Sequence, residues 1–132
     1  MQEIQVTTER KTQLLDITTK VREAIGSDAE GRVALVYVPH TTAGVTINEK
    51  IDPDLLADFE MALTGIVDDA WAWKHVDADG PNAPSHLRAS LLGPHVLVPL
   101  HEGELALGTY QGIFFCEFDG PRSRKVYVST MR

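Results

Sequence analysis

The chain contains one cysteine, Cys116, in 132 residues, so no internal disulfide can staple the fold. A reducing, cytoplasmic setting is the expectation that follows. No apolar run approaches the ~18 residues of a membrane span, and Met1 to Lys11 is polar and strand-like without a signal-peptide core. No membrane partner is therefore expected. Positive charge is scarce: 12 Lys and Arg stand against 19 Asp and Glu, a net charge of −7. A nucleic-acid binder usually shows a broad basic face, so no nucleic-acid partner is expected either. Local catalytic signatures are also missing. There is no P-loop, no GxGxxG, no nucleophile elbow, and no HxxxH, HxH or CxxC pair. Hydrolase, nucleotide-triphosphatase and dehydrogenase readings have no local support.

What is present suits one globular domain over residues 1–132, with 43% hydrophobic residues and no internal repeat, linker or low-complexity stretch. A chain of this length can bury roughly two-thirds of its unfolded surface. Acid is concentrated between Glu49 and Asp79, where nine carboxylates face Lys50 and Lys74. That stretch reads as a solvated helix face or as a place for a cation. Glu3 to Thr8 and Gln13 to Ile17 read as a hairpin about Glu9-Arg10-Lys11. Thr18-Thr19 opens a short helix with Val21, Ala24 and Ile25 on one face, stopped by Gly26. The β-branched run Arg32 to Val38 predicts a strand buried on both sides, ended by Pro39, and Val45 and Ile47 alternate in a second strand. Asp52-Pro53 supplies an N-cap and a first-turn proline for a helix through Leu55, Leu56, Phe59, Leu63, Ile66 and Val67. A loop from Trp71 to Ala83 leads to a helix over Pro84 to Leu92, with Leu87 and Leu91 as its core stripe and Gly93-Pro94 as its stop. Strands follow at His95 to Leu100, Leu105 to Leu107, Tyr110 to Phe118 and Lys125 to Met131. The prediction is a single α+β domain, a largely antiparallel sheet of seven or eight strands with about three helices.

Several residues can carry chemistry. His40 ends a strand and precedes Thr41-Thr42-Ala43-Gly44, which puts an imidazole and two hydroxyls at one rim, either for an anion or for local turn bonds. His86 lies on a helix stripe of small residues, Ala89, Ser90 and Gly93, which lets a ligand or another element approach. His75 follows Trp71 and Trp73 in the acidic loop. The spacing of His40, His75 and His86 has no zinc pattern, so zinc would need a site gathered from distant segments, with Glu49 or Glu117 as a further ligand. Arg122 and Arg124 are two apart and would share a face on a strand, bracketing a phosphate or pyrophosphate. Glu117 and Asp119 beside them suit a phosphate held with magnesium, or else cross-strand ion pairs of a charged hairpin. Cys116 reads as an unreactive core thiol.

Taken together, His40-Thr-Thr-Ala-Gly-Val-Thr-Ile-Asn48-Glu49, Asp52-Pro53, Ser85-His86-Leu87, Leu92-Gly93, Gly103 and Gly108-Thr-Tyr-Gln111 resemble the YjbQ-like family, known as secondary thiamine-phosphate synthases. The resemblance runs from about Val33 to the C-terminus and more weakly over the N-terminal strands; Tyr110 stands where the family commonly has tryptophan. It implies a homotrimer and a site lined by His40, Asn48, Glu49, His75, His86, Gln111, Glu117 and Arg122. The implied reaction joins a pyrimidine methyl diphosphate to a thiazole ethyl phosphate and releases pyrophosphate. On that reading His40, Glu49 and His86 are catalytic, while Thr41, Thr42, Asn48, Gln111, Arg122 and Arg124 hold substrate, with magnesium on the pyrophosphate. Two other readings stand beside it. One is a non-catalytic trimer binding a metal or a small phosphorylated metabolite. The other is a different metal-dependent enzyme, with zinc on His40, His75, His86 and Glu117.

Overall fold

Val36, Val45, Phe115 and Val126 are wholly buried against one another's neighbourhood, yet they belong to two different sheets. The computed structural model describes residues 1–26, 28, 30–76 and 80–132. The chain runs β1 (Gln2–Thr7), β2 (Gln13–Asp16), α1 (Thr18–Ile25), β3 (Val33–Tyr37), β4 (Ala43–Glu49), α2 (Pro53–Ile66), α3 (Ala83–Leu92), β5 (His95–His101), β6 (Glu104–Leu105), β7 (Gln111–Glu117) and β8 (Ser123–Met131). Among the described residues, the α+β class, the three helices and the eight antiparallel strands agree with the prediction. The strands form two sheets, however: five in the order β1-β8-β3-β5-β6 and three in the order β2-β7-β4. Residues 77–79 of the predicted loop lie outside the described residues.

The alternation of each strand explains the layering. Ile4, Val6, Val36, Val98, Val126 and Val128 point from the large sheet onto Val45, Ile113 and Phe115 of the small one. Each such side chain contributes roughly 1.5–3 kcal/mol when fully removed from water. Because side chains alternate, Leu14, Phe114 and Cys116 emerge on the other face of the small sheet, where Leu56, Phe59 and Leu63 of α2 and Ala89 and Leu92 of α3 cover them. The small sheet is thus apolar on both faces. The large one is covered on one face only.

Four expectations are corrected. Glu3 to Thr8 and Gln13 to Ile17 do not pair as a hairpin: β1 pairs with β8 and β2 with β7. Period-two alternation specifies which face of a strand is buried and leaves its partner open. The Thr8 hydroxyl, bonded to Glu117 and to the Arg122 carbonyl, marks where the chain passes between sheets. Strand β3 is buried on one face only, with Ala34 and Val36 inside and Tyr37 41% exposed outside. Leu87 and Leu91 of α3 are exposed, 43% and 59%, and the inward stripe is Ser85, Arg88, Ala89 and Leu92. Arg88 turns in because it caps α2, donating to the carbonyls of Leu63, Thr64 and Val67 at 2.7–3.0 Å. Lastly, β8 starts at Ser123, so Arg122 is a turn residue and does not share a strand face with Arg124.

The small residues of α3 allow it to sit against β4. Gly44 is where this contact is tightest: a Cβ there would stand 2.8 Å from the Gly93 carbonyl oxygen and 3.3 Å from Leu92 Cβ. Val45 also donates to Gly93 O, and Val38 to Pro94 O, so the β3–β4 connection is stitched to the end of α3. Gly44→Ala is expected to cost about 1–3 kcal/mol through this overpacking, read as a lower urea midpoint at unchanged m-value.

Candidate functional site

The stitched connection carries His40 and brings it to α3. A cleft of about 350 Å³ opens between them, lined by His40, Thr41, Ala43, His86, Ala89, Ser90 and Pro94. Its floor is apolar and small; its polar groups are two imidazoles and two hydroxyls. His86 also faces a neighbouring hollow of about 260 Å³ with His75, Ala83 and Leu87. The rings of His75 and His86 meet edge to face with centroids 5.3 Å apart. His75 lies on the segment that begins with Trp71 and Trp73, whose rings are 5.7 Å apart. Trp71 is 57% exposed and Trp73 donates its indole N–H to the Asp68 carbonyl.

His40 is held from behind. The backbone N–H of Lys125 donates to its Nε2 at 2.9 Å. Burial first, and the positive charge of Arg124 second, hold the His40 imidazole below its ordinary value of 6.5.

Behind His40 lies a buried polar network. Arg124 grips Glu117 bidentately through Nε and Nη2, and its Nη2 also donates to Thr42 Oγ1 at 2.8 Å. Glu117 is fully buried and accepts in addition from the Thr8 hydroxyl and from the N–H groups of Phe118 and Asp119. Burial would raise its carboxyl, but the Arg124 and Thr8 hydrogen bonds, the Arg124 charge and the backbone donors outweigh burial and hold it below 4.5. All five of these donors point at its two oxygens. Glu117 and Arg124 therefore serve one another and Thr42, behind the cleft and away from its mouth. Arg122 is separate: its guanidinium bonds the Asp119 carboxylate at 2.9 Å and the Asp119 carbonyl at 2.8 Å, and it is half exposed. Asn82, at the N-terminal end of α3, holds the same Asp119 oxygen at 3.0 Å.

Asn48, Glu49 and Gln111 lie elsewhere. Ala43 is opposite Glu117 and Glu49 is opposite Gln111, at the two ends of the β4–β7 ladder. Six residues of strand separate those ends by about 20 Å. Asn48 Oδ1 accepts from Glu49 N–H and Gln111 Oε1 from Gly108 N–H, beside the exposed Ile51 and Tyr110. The candidate residues thus divide into a His40–His86 rim and an Asn48–Glu49–Gln111 rim. Among the described residues, no three His, Cys, Asp or Glu side chains come together to hold a metal. Glu117 is gripped by Arg124, and Nε2 of His40 accepts from the Lys125 N–H, so Glu117 is not gathered with His40, His75 and His86 within this chain. A larger groove, about 660 Å³, lies at the far end of β5 beside Arg32, His101 and Arg132. Its charges are exposed and partly satisfy each other, as in the 2.6 Å Arg132–Glu30 pair, so it carries less chemistry than the smaller cleft. Thr8, Asn82 and Arg88 were not singled out by sequence. Arg88 had one signal, an arginine flanked by leucine and alanine in a short helix, but only the tertiary fold shows the carbonyls it meets.

Cys116 is buried, and burial, with the Glu60 charge second, pushes its thiol up to about 12. It is inert. No helix among the described residues is long and apolar enough to cross a membrane.

The two packed sheets and their helices make an α+β sandwich. The UPF0047 protein YjbQ-like family model matches residues 2–132, and the chain belongs to that family. It is 41% identical over 125 residues to the UPF0047 protein MJ1081 of Methanocaldococcus jannaschii, covering 94% of this chain and 88% of that one. It is 39% identical over 132 residues to the UPF0047 protein YugU of Bacillus subtilis, covering 97% and 96%. The crystal structure of a YugU orthologue from Clostridium acetobutylicum superposes with a TM-score of 0.90 at 40% identity, over 99% of this chain and 100% of that one.

The buried pair sets a pH dependence. Glu117 is lowered in the fold, so its contribution is fully present above its ordinary 4.5 and is lost as pH falls through the folded value. Unfolding free energy is expected to decline below that pH, and less steeply in Glu117→Gln, where the lowered Asp28 and Glu60 still contribute. Arg124→Met at pH 7, which strands the Glu117 charge, is expected to cost about 3–5 kcal/mol in urea denaturation.

Proposed function

We propose that the His40–His86 cleft is the site of a phosphate-handling transferase of the secondary thiamine-phosphate synthase type. The observation that carries this reading is the cleft itself: small apolar side chains on its floor, with imidazoles and hydroxyls around it. At about 350 Å³ it is within the range of small-molecule sites. A flat pyrimidine ring suits Ala43, Ala89 and Pro94, and its diphosphate suits the N–H and O–H donors. In the reaction, the bond from the pyrimidine methylene carbon to the diphosphate oxygen breaks and its electron pair leaves with pyrophosphate. The thiazole nitrogen lone pair forms the new C–N bond. Such a displacement asks chiefly for stabilisation of the departing charge. Arg122 does not line the cleft itself; held by Asp119, which Asn82 ties to the start of α3, it is the cation proposed to reach the departing charge, and magnesium, if bound with the pyrophosphate group, would supply further counter-charge.

The test is a mass-spectrometric assay for thiamine phosphate with both phosphorylated precursors and magnesium. Wild type is expected to form product, with a loss of about tenfold or more in His86→Ala and Arg122→Ala, as for removal of hydrogen bonds to a charged group. Well-folded protein that binds pyrophosphate by calorimetry and makes no product would instead be a binding module. The sparse acid–base equipment of the cleft already suits that second reading.

We also propose that the working unit is a homotrimer in which the second rim of one subunit reaches the cleft of the next. Two observations support it. The outer face of the large sheet presents Val33, Leu35, Tyr37, Leu97, Tyr127 and Met131 with no layer over them among the described residues, including a Tyr37–Tyr127 stack at 6.5 Å. The two polar rims also lie at opposite ends of one ladder, as a head-to-tail ring requires. Light scattering is expected to give three times the chain mass. With the native thiol buried, a mixture of Ser90→Cys and Tyr110→Cys proteins, co-refolded, is expected to form covalent dimers with a short bismaleimide. A monomer, or an oligomer without cross-links, refutes this arrangement.

A further inference from the structure

We propose that His40 acts as a fixed N–H donor: the Lys125 backbone holds its Nε2, so the ring hydrogen resides on Nδ1 and is offered to an anionic oxygen bound in the His40–His86 cleft. The argument starts from the strand register. Tyr37 of β3 pairs with Tyr127 of β8, and the same register continued would set Pro39 opposite Lys125. Pro39 ends β3 instead, and the Lys125 N–H is left without a strand partner on that side. The His40 imidazole supplies one, accepting at 2.9 Å through Nε2. A ring turned over would put Cε1 against the same N–H, so the contact identifies the nitrogen. An accepting Nε2 carries no hydrogen, and neutral imidazole then has it on Nδ1.

The surroundings keep that state. From β8 and β7 the ring meets the charges of Arg124, Lys125 and Glu117; Glu117 favours the protonated ring but is bound bidentately by Arg124. From α3 it meets His86 across the cleft. Burial and the Arg124 charge act against a second proton, which would also have to displace the Lys125 contact. The donor remains neutral and needs no reorganisation when an anion arrives. The Glu117–Arg124–Thr42 network acts through this ring: it anchors the start of β8, and so the Lys125 N–H, against the threonine two residues after His40. Its members are positioning residues. The ligand class is an oxyanion bearing phosphoryl oxygens, which rests on the phosphate-handling reading of the cleft; the tautomer itself does not.

The experiment is long-range 1H–15N correlation NMR on uniformly 15N-labelled full-length protein at pH 8, with His40 assigned by the signals missing from His40→Gln. The expected result is a protonated Nδ1 and an unprotonated Nε2, with Nδ1 shifting on titration of inorganic pyrophosphate while Nε2 stays in place. An Nε2–H tautomer overturns the proposal. So does an Nδ1–H tautomer untouched by pyrophosphate. His40→Gln offers an oxygen to Lys125 N–H and has no N–H at the position of the ring Nδ1, so its pyrophosphate affinity is expected to fall about tenfold with little change in thermal midpoint. Unchanged affinity also overturns the proposal. Absence of thiamine phosphate in the assay, with the Nδ1 shift present, would refute the synthase reading and leave this inference standing.

Discussion

The buried ion pair between Glu117 and Arg124 is the interaction on which the rest of the structure depends. Glu117 closes β7 in the small sheet and Arg124 opens β8 in the large one, so their contact spans the crossing from one layer to the other. Thr8, at the exit from β1, and Thr42, at the entry to β4, complete it. Four chain segments are registered at one point. Taking both charges out of water is costly, and the pair is tolerable because each carboxylate oxygen receives several donors. Apolar residues of the same volume could fill this space. They would not specify which strand ends must meet there.

From that point the cleft follows in short steps. The start of β8 presents the Lys125 N–H, which orients His40; the β3–β4 connection around His40 is bonded to the end of α3, which carries His86. Arg88 fastens α3 to the last carbonyls of α2, and Ser85 fastens it to the Phe118 carbonyl. A helix with only small inward residues would otherwise have little to hold it. The arrangement is a candidate site rim borne by a rigid frame, in which the residues that look most chemical in the sequence, an arginine and a glutamate, belong to the frame.

This division explains what was legible from sequence. Element types were legible, because Asp52-Pro53, the β-branched run before Pro39 and the apolar alternation of Ile113 to Phe118 are local signals. His40 and His86 were legible as candidates because their neighbours are small or hydroxylated. Strand partnership was not: β1 and β2 look adjacent, and only long-range contacts such as Thr8 to Glu117 separate them. The role of Arg124 was hidden for the same reason. A two-residue spacing in a presumed strand suggested a phosphate clamp, but Arg122 belongs to the turn and Arg124 to the interior. Leu87 and Leu91 misled because helical spacing identifies a stripe without saying which side the rest of the chain lies on. Their exposure, like that of Tyr37 and Leu97, marks apolar surface that the described residues leave uncovered.

Both tryptophans of the chain, Trp71 and Trp73, lie within the segment that leads to His75, and neither packs into the two cores. Intrinsic fluorescence of this protein therefore reports on a peripheral strap beside the histidine cleft, while far-ultraviolet circular dichroism reports on the sheets. The two signals monitor different parts of the molecule. A fluorescence change on adding a ligand would be a local event near the site, and a fluorescence transition that precedes the dichroic one would mark the strap loosening while the sandwich remains intact.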